Sequence, residues 1–224
     1  MKKLILVFVL ISTIGFAQES ITKNLGDFNQ LKVYNGLDVE LKKGSESKIE
    51  ITGSQAEDVT IKNSNGTLKI RLKFPERFTS DDVNIVVYYS KDIDILDANE
   101  GAEIFSEEKI KQSHLEVKVQ EGAKIDLDIK VKHLEVKCVT GGIINLEGKA
   151  TNQTIEATTG GVYDGYNLQS ITVMVTAASG AKAEVDAKEL LDAKVRFGGN
   201  IYYKGTPETI KSKKIIGGTI KHVD

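Results

Sequence analysis

Several side-chain groups in this 224-residue chain have types and spacings that could do chemistry. Asp126 and Asp128, flanked by Lys124, Lys130 and Lys132, form a charged stripe. Carboxylates on such a face can act as an acid–base pair on a glycosidic bond. His114 and His133 stand 19 residues apart in two copies of the same pentapeptide, His-Leu-Glu-Val-Lys. Two imidazoles brought together can ligate a transition metal, but no third ligand accompanies them. Asp92, Asp94, Asp97, Asn99, Glu100 and Glu103 offer the oxygen ligands calcium prefers, without the spacing of a calcium loop. The single cysteine, Cys138, excludes an intrachain disulfide and occupies an apolar position, so it reads as a small buried hydrophobe. Tyr163, Tyr166, Tyr202 and Tyr203 have the apolar body and polar tip that suit sugar rings. The pattern turns Tyr163 and Tyr203 inward, and leaves Tyr166 and Tyr202 outward as the binding candidates.

No nucleophile elbow, zinc-protease helix, dinucleotide fingerprint or phosphate loop occurs. The expectation is therefore a non-enzyme with no catalytic residue, no metal and no cofactor. It would present a surface to a glycan or an envelope protein. The competing readings are a carbohydrate hydrolase or lyase using flank carboxylates, and a structural component that assembles as a homo-oligomer. Composition narrows the partners further. Net charge is −2, or −4 without Lys2 and Lys3, and Arg occurs only at positions 71, 77 and 196, which argues against nucleic acid.

The elements that must position these groups begin after a leader. Lys2-Lys3, the apolar run Leu4 to Ile14 and Gly15-Phe16-Ala17 make residues 1–17 a secretory signal peptide. The run is shorter than the roughly 20 residues of a membrane span, and no later stretch supplies one. The expected location is the periplasm, the cell surface or beyond.

Residues 18–224 read as one β unit, divided into an N-terminal part, 18–95, and a repeat region, 96–224. Gly-small pairs begin at Gly101, Gly122, Gly141, Gly160, Gly180, Gly198 and Gly217, with steps of 21, 19, 19, 20, 18 and 19 residues. Five residues before each Gly lies Leu96, Val117, Val136, Ile155, Val175, Ala193 or Ser212. Three residues after each lies Ile104, Ile125, Ile144, Tyr163, Ala183, Ile201 or Ile220. Between the pairs, apolar and charged residues alternate with period two, the signature of half-buried strands. A strand, a small-residue corner and another strand every 19 or so residues is one rung of a β-solenoid. An antiparallel sandwich would match the strand lengths but has no reason to keep seven corners in phase.

The N-terminal part holds candidate strands Leu31–Tyr34, Leu37–Leu41, Ile49–Ile51, Val59–Ile61, Leu68–Leu72 and Val83–Tyr89, with turns at Asn35-Gly36 and Asn65-Gly66. A loop covers Phe74 to Asp82. This part either caps the solenoid or supplies its first coils.

These residues resemble the auto-transporter adhesin family with the head GIN domain. The resemblance runs from Phe28-Asn-Gln-Leu-Lys-Val33 through Gly36-Leu-Asp-Val-Glu-Leu41 and Gly66-Thr-Leu-Lys-Ile70 into the Gly repeats. Its most specific block is Gly199, Asn200, Ile201, Tyr203, Gly205 and Pro207, within Gly-Asn-Ile-Tyr-Tyr-Lys-Gly-Thr-Pro. The family's frequent Ser-Gly-Ser-Gly corners are here replaced by Glu-Gly-Ala, Thr-Gly-Gly and Ser-Gly-Ala, which keeps the small-residue requirement. The resemblance implies a secreted or envelope protein with a right-handed parallel β-helix fold, and it brings no catalytic residues.

Overall fold

In the computed structural model, residues 20–73 and 83–224 are described; the leader and the loop at 74–82 lie outside them. The strands in chain order are β1 Ser20–Asn24, β2 Gln30–Val33, β3 Asp38–Lys43, β4 Lys48–Thr52, β5 Val59–Ser64, β6 Thr67–Leu72, β7 Asn84–Tyr89, β8 Ile95–Ala98 and β9 Glu103–Phe105. They continue as β10 Ile110–Lys111, β11 His114–Val119, β12 Lys124–Cys138, β13 Ile143–Ala157, β14 Val162–Ala178, β15 Lys182–Arg196, β16 Asn200–Lys204, β17 Thr209–Ile215 and β18 Thr219–His222. The one helical element among the described residues is a single turn at Ala56–Asp58.

From β8 onward every pairing is parallel, and each strand lies on its equivalent in the next rung. Leu96, Val117, Val136, Ile155, Val175 and Ala193 therefore form one buried column. Ile104, Ile125, Ile144, Tyr163, Ala183 and Ile201 form a second. The two columns face each other across the interior of a β-solenoid whose rungs lie about 4.8 Å apart.

The corners also stack. At each, the Gly and the residue before it both take positive φ, from Glu100-Gly101 to Ile216-Gly217. Such a two-residue left-handed turn is the type I′ geometry that joins strands tightly. The Gly101 N–H donates to the Glu121 carbonyl at 3.0 Å, Gly122 to Thr140 at 3.2 Å, Gly141 to Thr159 at 3.1 Å and Gly160 to Ser179 at 3.1 Å. The corners are thus a hydrogen-bonded column along one edge.

The two small residues of a corner are small for different reasons. Gly141 has open space where a Cβ would go, but its φ of +71° disfavours any L side chain. Gly142 has no such φ; a Cβ there would lie 2.6 Å from Val119 Cγ2 in the preceding rung. In the other rungs the second residue can be Ala123 or Ala181, where the register puts Ala98 and Ala157 in the place of Val119. Gly161 and Gly199 break this size rule, because a Cβ at either would meet backbone, the Cys138 and Ala177 carbonyls at 2.3 Å. So does Ala102, which is accommodated where the register puts Val33.

The N-terminal part both supplies coils and caps. β2 and β3, joined through Asn35-Gly36, form a coil in register with β8 and β9. On their other side lie β6 and β7, also parallel. The first coil in the chain is therefore the second in space. Beyond it β5 pairs antiparallel with β6, β4 with β7, and β1 with β4. These antiparallel strands cover the end of the parallel stack. β1 has no counterpart among the strands expected from sequence. At the far end β17 is exposed along its whole length, and its core-facing positions carry Ser212 and Lys214. An inward lysine on a terminal strand discourages further pairing.

Candidate binding face

The outward tyrosines lie on the face formed by β14, β15 and β16. β14 carries extra residues here. Its register slips against β13 between Asn145 and Glu147, and against β15 between Gly165 and Gln169. This bulge falls in the 20-residue step between Gly160 and Gly180, and a bulge re-aims the side chain it carries. That side chain is Tyr166.

Tyr166 is half-buried, and Lys204 Nζ sits 4.5 Å from its ring centroid. Its hydroxyl is hydrogen-bonded to Glu184, which Lys182 also holds at 2.8 Å. Burial, then the charge of Glu184, pushes the Tyr166 phenol up to about 12. Tyr202 is in register with Glu184 on the adjacent strand. The structure thus brings both predicted residues, Tyr166 and Tyr202, together around the Glu184 carboxylate, with the Lys182 and Lys204 ammonium groups beside it. Two partly exposed rings beside fixed donors and acceptors can hold a ring-shaped polar ligand.

The other tyrosines face the interior. Tyr163 is fully buried and donates to Gln153 Oε1 at 2.7 Å, while Gln153 Nε2 donates to Ser170 Oγ. This buried polar network was not foreseen from sequence, because Gln153 breaks an apolar column. Tyr203 packs against the core, with its ring 5.1 Å from that of His222.

The block that carried the family resemblance occupies architectural positions. Ile201 is core, Gly199 passes close to the preceding rung, and a Cβ at Gly205 would lie 2.3 Å from the Ala187 carbonyl. Asn200 Nδ2 donates to the Gly198 carbonyl at 3.4 Å, and Pro207 lies in the connection between β16 and β17.

The remaining candidates separate into ladders. His114 and His133 stack with centroids 4.8 Å apart, and His133 Nδ1 lies 3.3 Å from Asn152 Nδ2. Among the described residues no three His, Cys, Asp or Glu side chains converge as metal ligands. The acidic group around Gly101 is spread out and paired piecemeal: Asp97 with Lys32 at 2.8 Å, Asp94 with Asn29 at 2.9 Å, Glu103 with Lys124 at 2.7 Å. Asp128 pairs with Lys109 at 3.1 Å, and Asp126 accepts from Asn145 at 3.2 Å. Cys138 is buried, and its Sγ donates to the Gly142 carbonyl at 2.9 Å. Burial pushes that thiol up to about 12, which keeps it protonated and unreactive.

Residues 27–207 match the sequence profile described as "Putative auto-transporter adhesin, head GIN domain". The chain belongs to this family. Among solved structures, a putative adhesin from Bacteroides fragilis NCTC 9343 is 20% identical, with a TM-score of 0.82, over 92% of this chain and 97% of that one. A putative adhesin from Parabacteroides merdae ATCC 43184 is 22% identical, with a TM-score of 0.71, over 94% and 98%. A putative lipid binding protein from Parabacteroides distasonis ATCC 8503 is 18% identical, with a TM-score of 0.71, also over 94% and 98%. At these identities the likeness is one of fold. No curated protein matches the chain in sequence. The family description and two of these three structures name an adhesin, and the third names lipid binding. Among the described residues no helix is long and apolar enough to cross a membrane.

Proposed function

We propose that this head GIN-domain protein is exported to the cell surface or periplasm. There residues 18–224, one folded unit behind the leader, act as a rigid non-enzymatic binder of a glycan. The supporting observation is the bulge in β14, which turns Tyr166 outward beside Tyr202, Glu184 and Lys204. Nothing in the packing of the core needs Tyr166 there. The solenoid supplies rigidity, because every internal rung is held by parallel ladders on both sides. The leader and the adhesin-like family both favour an exported location.

The test is a glycan and cell-wall binding screen on the purified chain, repeated with the Tyr166→Ala/Tyr202→Ala variant. Binding that is at least tenfold weaker in the variant, with an unchanged circular dichroism spectrum, supports the reading. Failure of the unmodified protein to bind any glycan at high concentration sinks it.

A further inference from the structure

Several outward lysines meet carboxylates on a neighbouring strand. Lys124 meets Glu103 at 2.7 Å and Lys137 meets Glu116 at 2.9 Å. A column of three lysines has no such partner among the described residues. Lys111, Lys130 and Lys149 occupy the same register position on three successive rungs. All three are exposed, and none forms an ion pair with a described residue. Like charges on facing positions of adjacent strands destabilise a sheet. The column is thus a local cost that the fold does not require.

It borders a groove of about 570 Å³. Lys130, Lys149 and Lys188 line the groove, and Val131, Ala150 and Ala187 form its buried floor. The register continues from Lys149 to Gln169 and Asp186, so the groove runs along the stacking axis, across the strands. With Lys111 it spans five strands, about 19 Å at 4.8 Å per rung. Asp186 contributes its one carboxylate, at the end where Lys204 leads over to Tyr166.

Charge and floor together select among polyanions. The lysines give a cationic wall, and the buried apolar floor asks for a ligand with C–H faces, which the phosphate backbone of a duplex lacks. The sugar rings of a polysaccharide present such faces. In an extended acidic polysaccharide successive rings turn over, so only some of its carboxylates face the column at once. We propose that this groove binds a linear polyuronate, a polysaccharide with a carboxylate on each sugar, lying along the axis with the carboxylates of one side on the column of Lys111, Lys130 and Lys149. This rests on the glycan-binding reading above and names its substrate class.

The test is affinity electrophoresis of the full chain in gels holding polygalacturonate, alginate, neutral xylan or duplex DNA. The variants are Lys130→Ala/Lys149→Ala and Tyr166→Ala/Tyr202→Ala, with circular dichroism as the check on folding. The expected result is retardation by polygalacturonate or alginate, at least tenfold weaker in the lysine variant and reduced by salt, with little retardation by DNA. Equal retardation by DNA overturns the proposal in favour of indiscriminate polyanion binding. Polyuronate binding that survives loss of both lysines overturns the groove assignment. Binding to xylan alone, lost in the tyrosine variant, defeats the polyuronate proposal and leaves the glycan-binding reading standing. No retardation by any polysaccharide defeats both.

Discussion

The size rule at the corners makes a quantitative prediction for Gly142. Replacing it by Ala puts a Cβ 2.6 Å from Val119 Cγ2 and 3.0 Å from Val119 Cβ. Val119 is only 1% exposed, so it has no empty space to move into. Overpacking of this kind costs about 1–3 kcal/mol. Val119→Ala alone removes two buried methyl groups and leaves a small cavity, for about 2 kcal/mol. If the two effects were independent, the double variant would lose about 4 kcal/mol. It instead removes the 2.6 Å contact and leaves the 3.0 Å approach of the two Cβ atoms, the kind of Ala–Ala pairing already accommodated between Ala98 and Ala123. The double variant is therefore expected to lose only about 2 kcal/mol, a coupling of about 2 kcal/mol. Thermal denaturation followed by circular dichroism reads this directly, since 1 kcal/mol corresponds to about 2–4 °C in a chain of this size. Midpoint changes that add within about 0.5 kcal/mol would show that rung spacing, rather than this contact, fixes the residue at 142.

Cys138 in the folded protein should react with a thiol reagent at pH 8 at least about 100-fold more slowly than in denaturant; rapid labelling would contradict its buried placement. Glu184→Gln removes a negative charge that raises the Tyr166 phenol, so Tyr166 should ionise at lower pH in a spectrophotometric titration; an unchanged curve would separate the two side chains. Phe197 and Ile216 hold φ of 49° and 59° while 58% and 71% exposed. Replacing either by Asn should relieve about 1 kcal/mol of left-handed strain and raise the midpoint by about 2–4 °C, whereas a fall would refute the strain. Burial pushes the Glu116 carboxyl up, but hydrogen bonds from Lys118 and Lys137 outweigh it and hold it below the usual carboxylate value. Its stabilisation is present above the ordinary pKa and lost as pH falls through the folded value. Glu116→Gln should thus lower the urea midpoint at pH 7 more than at pH 3, and an equal loss at both would exclude the linkage.

The solenoid was legible because its two demands recur in phase: a glycine where φ is positive, and an aliphatic residue where a rung covers its neighbour. The residue before each glycine was not legible as a turn residue. Thr140, Thr159, Phe197 and Ile216 have types that avoid left-handed backbone, and only the stacking of neighbouring corners holds them there. The bulge at Tyr166 had a faint signal in the 20-residue step, but its direction depends on pairing with β13 and β15. The lysine column was hidden for a related reason. Read along β12, Lys130 belongs to a stripe of alternating charge; only across rungs does it meet Lys111 and Lys149. The place of β2 and β3 between two later coils is set by contacts far apart in sequence, which periodicity does not encode.

That interleaving governs the order in which the protein can assemble. Later rungs close between segments about 19 residues apart, whereas Val33 must meet Ala98 and, on its other side, Ile70. Five hydrogen bonds that involve a side chain join that coil to the chain 65 residues ahead, among them Lys32 to Asp97 and Asn29 to Asp94. Longer closures are entropically dearer and slower. The repeat can therefore nucleate and grow on its own, while the amino-terminal coil waits, half-templated, for strands synthesised after it. The last joint to set is the one nearest the beginning of the chain.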